Sequence, residues 1–217
     1  VLGNVLLPRF AYLWSSNQRT EFNAILRKQQ FYSLFSSTLI AGLLFVTATE
    51  VCALLFGDTF QGASQLLRFL IFTVCLTGLA FYHVGMAVGR EKQILRALIV
   101  ATLCNTLCNV ILIPHYGSWG AAVSYVATEL LLQLYYMFIL RDLLPFRYLL
   151  RILLPLALIV AVGCYVLTML HTTSLIADLL LRACLFGLGY LALGVLLFPE
   201  AREFLCSLLK RLRENEK

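Results

Sequence analysis

The sequence predicts an all-α fold, a polytopic transmembrane helical bundle with about six complete spans plus a partial N-terminal helix. Three observations predict it. Of the 217 residues 61% are hydrophobic and only 13% charged, which is too apolar for a soluble globule, where apolar residues are about half. The apolar residues gather into runs of about twenty, the length at which a helix rising about 1.5 Å per residue crosses a hydrocarbon core of about 30 Å. Short polar loops separate these runs, and Lys and Arg concentrate in alternate loops.

Residues 1–14 are too few to span and read as the end of a helix whose beginning lies upstream. Val1 opens inside an apolar run, with neither Met, a basic leader nor a small-residue cleavage site, so the chain reads as the C-terminal portion of a longer protein. Residues 15–30 are polar and carry Arg19, Arg27 and Lys28, with Phe22, Ile25 and Leu26 at helical spacing. This predicts a cytoplasmic connector lying on the membrane surface. The first complete span is 31–56, followed by the turn GDTFQGAS with its single acid Asp58, and the second is 65–88, ending at GREK. Spans 94–113 and 121–140 form a hairpin. Pro114, Gly117 and Gly120 are expected to break both its helices, and Tyr116 and Trp119 suit an interfacial turn. The loop RDLLPFRYLLR supplies Arg141, Arg147 and Arg151, and spans 152–170 and 175–198 follow on either side of HTTS. Pro199 stops the last helix. Residues 1–198 thus read as one membrane bundle and 199–217 as a cytoplasmic tail. The tail places Phe204, Leu205, Leu208, Leu209 and Leu212 on one face and Arg202, Lys210, Arg211 and Arg213 around the other, the pattern of an interfacial helix on anionic lipid.

Orientation follows from the basic residues. The connector, GREK with Arg96, the 141–151 loop and the tail alternate with loops at GDTFQGAS, PHYGSWG and HTTS that contain no Lys or Arg. The basic side is expected to be cytoplasmic, with the C-terminus inside. The net charge of +6 is distributed over these loops rather than in one patch with interleaved aromatics, so nucleic acid is not the predicted partner. The seven cysteines form no CxxC pair and have no His at ligand spacing. They read as small core residues, and no metal site is predicted. No HExxH, GxSxG, P-loop or paired carboxylates with a nearby His is present. Accordingly no catalytic residue, no cofactor and no enzyme activity are predicted.

Function is then sought among polar residues inside the spans, where a charge costs about 2.5–3.5 kcal/mol at the helix centre and normally faces a bundle interior or water-filled cavity. Glu129 lies mid-span with Gln133 one turn away on the same face. It reads equally as a cavity-lining acid and as a structural acid bonded to a neighbouring helix. Asn105 and Asn109, four apart, share a face and suit interhelical hydrogen bonds or contacts to a polar cargo. Arg182 has Asp178 four residues earlier, the spacing of a local ion pair, with anion binding as the other reading. Glu50 and Arg68 sit near the outer ends of consecutive antiparallel spans and are expected to pair across that hairpin. Arg9, at a cytoplasmic helix end, either snorkels to headgroups or faces a cavity.

The run N-x-x-x-N-V-I-L-I-P-H-Y-G-S-W-G-A-A from Asn105, with Glu129 deep in the next helix, resembles the bacterial lipid-linked oligosaccharide (O-antigen and polysaccharide) flippases of the MATE-like exporter superfamily. LLPRFAYLW from Leu6, LLFGDTF from Leu54 and GREK from Gly89 are similar to that family's motifs in the same order. The resemblance implies the C-terminal portion of a transporter that moves a polyprenyl-pyrophosphate-linked oligosaccharide across the bacterial cytoplasmic membrane by rocking between inward and outward openings. It implies Glu129, Gln133, Asn105, Asn109, Arg182 and Arg9 as substrate-path candidates, with membrane lipids, a polysaccharide polymerase or a glycosyltransferase as partners. Two alternatives stay open: a cation-coupled small-molecule exporter of the same superfamily, and a membrane scaffold subunit of polysaccharide assembly.

Overall fold

The structure is a computed structural model describing residues 2–57, 62–169 and 174–203. Among the described residues there is no strand. The chain forms α1 (Leu2–Ser15), α2 (Arg19–Val46), α3 (Ala48–Phe56), α4 (Ala63–Thr77), α5 (Phe81–Ala87), α6 (Glu91–Tyr116), α7 (Ser118–Ile139), α8 (Phe146–Thr168) and α9 (Leu175–Leu197). Six segments are long and apolar enough to cross a membrane: α2, α4 with α5, α6, α7, most of α8, and α9. The protein is a multi-pass membrane protein with an all-α bundle fold.

The helix breaks differ from those the sequence predicts. Residues 19–30 are not a separate surface connector but the first turns of α2, which runs unbroken to Val46. Phe22, Leu26, Gln29 and Gln30 are buried there, because the i, i+4, i+7 stripe continues into the span and packs beneath α1. The first span therefore ends at Thr47, and α3 is a separate two-turn helix. The second span is also interrupted. Ala80 adopts φ 54°, a left-handed conformation that an L-residue takes at some cost, and splits the span into α4 and α5. At the α6–α7 turn, Pro114 sits inside the last turn of α6 and does not end it. Gly117 alone (φ 57°) makes the reversal. Gly120 belongs to α7, where a Cβ would stand 2.4 Å from the Leu112 carbonyl oxygen, so the missing side chain lets α6 and α7 approach closely.

Helix α2 is the axis of the bundle. It packs against α1, α4, α8 and α9, and α9 touches α3 and α8. Phe10, Phe22, Leu26, Phe31, Leu34, Phe81, Leu156 and Tyr190 form the centre of the core. Tyr190 would carry an orphan hydroxyl into that core. It instead donates to the Phe35 carbonyl (2.9 Å) and shares a 2.6 Å hydrogen bond with Thr38. Other hydroxyls bond back to their own helix, as Thr73 does to Leu70 and Thr47 to Leu43, satisfying donors that hydrocarbon leaves without water. The α6–α7 hairpin hangs on α4 and α5. Along α6 only Ile94 and Ala97 are buried, and Leu103, Leu107, Val110 and Ile111 are exposed, an apolar face suited to lipid. The cysteines depart from the core reading. Cys52 and Cys164 are buried, but Cys104, Cys108 and Cys184 are exposed, and Cys206 lies outside the described residues with most of the predicted interfacial tail.

At the basic end, Arg90 after α5 clamps the loop between α7 and α8. Its guanidinium meets both Asp142 carboxylate oxygens (2.6 and 3.0 Å) and donates to the Ile139 carbonyl. The hydrogen bond from Arg90 holds the Asp142 carboxyl below its ordinary range. A depressed carboxyl stabilises the fold above its unfolded pKa of about 3.9, and that contribution is lost as pH falls through the lower folded value. The side chain is half exposed, so solvent screening limits the effect to under about 1 kcal/mol. Asp142→Asn is accordingly expected to lower the unfolding midpoint slightly at pH 7. The gap to wild type should close as pH drops below about 4, followed by thermal unfolding in detergent across pH.

Candidate functional site

Two polar constellations lie within the spans. The first joins α3 to α9. Arg182 Nη1 donates to Glu50 Oε1 at 2.7 Å, and Arg182 Nη2 stands 3.6 Å from Asp178 Oδ2. All three residues are buried, Arg182 to 3% exposure. The local spacing of Asp178 and Arg182 brings them near each other, but the tighter contact is to Glu50, 132 residues away. This corrects the expected Glu50–Arg68 pair. Arg68 instead donates to the Thr49 hydroxyl (2.9 Å) and the Phe45 carbonyl (3.3 Å) and lies over the Phe45 ring. The physical reason is the break at Thr47. Once α3 departs from the line of α2, Glu50 turns into the bundle interior while Thr49 stays exposed beside α4.

The second constellation is a polar ladder between α6 and α7. Asn109 Nδ2 donates to Asn105 Oδ1 (3.0 Å), and Asn105 Nδ2 donates to Thr128 Oγ1 (3.3 Å). Thr128 in turn donates to the Ser124 carbonyl and Ser124 to the Gly120 carbonyl. One residue beyond Thr128, Glu129 accepts a 2.8 Å hydrogen bond from Gln133 Nε2. Asn109 Oδ1 and Gln133 Oε1 are buried with no hydrogen-bond partner among the described residues. Each such buried acceptor costs about 1–3 kcal/mol while unmet. Chemically, the ladder can receive polyhydroxylated or cationic cargo but offers no nucleophile–base pair. Among the described residues no cluster of three metal-ligating side chains occurs.

Arg9 joins neither constellation. It pairs with Glu21 at 3.1 Å on the exposed basic end. Sequence reasoning missed Gln29 and Gln30, which are buried with amides that find no hydrogen-bond partner among the described residues. The signal available was their place on the Phe22–Leu26 stripe, obscured by the polar composition around it.

The Arg182 pair carries a stability consequence. Breaking a buried ion pair from one side leaves carboxylate charge in hydrocarbon and costs about 3–5 kcal/mol, whereas replacing all members by apolar groups is often near neutral. Arg182→Met alone is expected to lower detergent unfolding stability by about that amount. Combining it with Glu50→Leu and Asp178→Leu should recover most of the loss, as read by the same melts.

No protein-family model matches the chain. It is 23% identical to the uncharacterized membrane protein MJ1068 of Methanocaldococcus jannaschii, over 97% of this chain and 43% of that protein. It is 23% identical to the capsular polysaccharide biosynthesis protein CapF of Staphylococcus aureus, over 63% of this chain and 36% of that one. The chain therefore spans less than half the length of these curated relatives. Among solved structures, lipid II flippase MurJ in an inward closed conformation superposes with a TM-score of 0.73 at 18% identity, over 90% of this chain and 42% of the other. At that identity the likeness is one of fold: this bundle is built like about two-fifths of a MurJ chain.

Proposed function

We propose that this bundle is one half of a flippase that carries a polyprenyl-pyrophosphate-linked oligosaccharide across the bacterial cytoplasmic membrane for capsular or O-antigen polysaccharide synthesis. The observation that carries the reading is the fold shared with a lipid II flippase over nine-tenths of the chain. Similarity to a capsular polysaccharide biosynthesis protein supports a sugar-bearing lipid as cargo. In this reading the basic end, with Arg9, Arg90 and Arg147, faces the cytoplasm, as does the C-terminus. The Asn105, Asn109, Glu129 and Gln133 ladder faces the lumen shared with the other half, and its accessible polar groups meet sugar hydroxyls. Arg182 serves as a fixed strut, held by Glu50 and Asp178, rather than as an anion ligand. No covalent bond changes, and the two halves rock about the cargo. A polymerase or glycosyltransferase acts before or after the crossing.

The test uses the full-length protein in vesicles loaded on one face with a fluorescent polyprenyl-pyrophosphate oligosaccharide, with a membrane-impermeant sugar-modifying reagent outside. Wild type is expected to expose the label. Asn105→Ala with Asn109→Ala should slow exposure roughly sevenfold, from two lost polar contacts of about 0.6 kcal/mol each. Glu129→Gln should retain most translocation, since a neutral amide still bonds to sugar. Ion-driven export of a small cation that vanishes in Glu129→Gln, with no oligosaccharide movement, would replace this reading by the exporter. Silence of every ladder substitution in both assays would favour a scaffold subunit.

A further inference from the structure

We propose that a cleft between the basic ends of α2 and α8 holds the phosphate of an anionic phospholipid. The cleft encloses about 440 Å³ and is lined by Arg27, Pro145, Arg147, Tyr148 and Arg151. Three guanidiniums converge there from two helices. Arg27 lies over the Tyr148 ring at 5.6 Å, and the Tyr148 hydroxyl donates to Glu200 Oε1 at 3.1 Å, which fixes that ring as a wall. The nearby acids are already engaged: Glu200 with Tyr148, and Glu203 with Lys28 at 3.8 Å. Among the described residues none of Arg27, Arg147 and Arg151 has an ion-pair partner. A phosphate diester fits this chemistry, since guanidinium forks bind its oxygens in pairs and the N-terminus of the 23-residue α8 favours negative charge.

The same helix face says why the phosphate belongs to a lipid. The apolar stretch of α8 begins at Arg147, which places the cleft at headgroup level. Continuing from Arg147 and Arg151 by helical spacing, the stripe runs through Leu154, Leu158, Val162 and Tyr165, which are 69%, 65%, 53% and 68% exposed. Two cations followed by an exposed apolar track match a headgroup and its acyl chain. The site also stands apart from the proposed cargo path, because α8 packs on α2 and α9 whereas the ladder lies on α6 and α7. The inference rests on the membrane-spanning fold and stands independently of the transport reading.

The experiment is native mass spectrometry of the detergent-solubilised full-length protein titrated with phosphatidylglycerol, with phosphatidylcholine of the same acyl chains, or with inorganic phosphate. Wild type is expected to retain phosphatidylglycerol in preference to phosphatidylcholine. Arg147→Gln with Arg151→Gln should weaken phosphatidylglycerol binding roughly thirtyfold and leave phosphatidylcholine unchanged, taking about a 1 kcal/mol contribution per basic residue at a membrane surface. Arg27→Gln, on the other helix, should weaken it severalfold by itself. All three positions are exposed, so unfolding midpoints should match wild type. Three outcomes overturn the proposal. One is unchanged phosphatidylglycerol binding in these variants. Another is an equal loss in Arg96→Gln, on exposed α6, which would assign the effect to net charge. The third is displacement of the lipid by millimolar inorganic phosphate, which would make this a free-phosphate site.

Discussion

A guanidinium buried within a membrane bundle needs acceptors close at hand, and Arg182 meets two carboxylates. That requirement fixes the rotation of α9, because the face bearing Asp178 and Arg182 also bears Phe186 and Tyr190, each about one turn further on. With the pair set at one end, the Tyr190 hydroxyl reaches Thr38 and the Phe35 carbonyl further along the same seam. Gly42 then lies under Phe186, where a Cβ would come within 2.1 Å of the ring. The α2–α9 contact is thus set by polar anchors and a glycine, with hydrophobic packing between them. In lipid this is the expected division of roles, since apolar side chains gain little from leaving hydrocarbon for another helix.

Around that seam the molecule falls into two unlike parts. The α1, α2, α3, α8 and α9 group is pinned by aromatic and ionic contacts, whereas the α6–α7 hairpin is joined within itself by the Asn105–Thr128 ladder and to the rest through α4 and α5. The left-handed Ala80 lies at the junction between α4 and α5. The first part carries the arginine cleft at the basic end, and the Arg90–Asp142 clamp ties the foot of the hairpin to the α7–α8 loop.

Much of this was legible in the sequence, for a physical reason. Span length and count follow from bilayer thickness, so the six apolar segments could be read directly, as could the shared face of Asn105 and Asn109 within one helix. What could not be read depends on tertiary placement. Thr47 carries no Pro or Gly signal, and the Gly78 that caps α4 just before Ala80 reads equally as a glycine tolerated inside an apolar run. Glu50 was assigned to the nearest cation in the adjacent span, but its partner comes from the last helix, a choice made only when the bundle closes. Residues 19–30 were misread because Arg, Lys and Gln outnumber the buried Phe22 and Leu26 that decide their fate. Polar composition measured their average environment, and one stripe determined their position.

The central claim is that this bundle forms one side of a two-sided lumen. The direct measurement is the size of the native protein, by immunoblot of source-cell membranes with an antibody raised to residues 200–217. A single band at roughly twice the 24.4 kDa of this chain is the predicted result, since the relatives it matches are more than twice its length. A single band at 24.4 kDa would contradict the account, leaving a half-lumen that no second half completes within one chain.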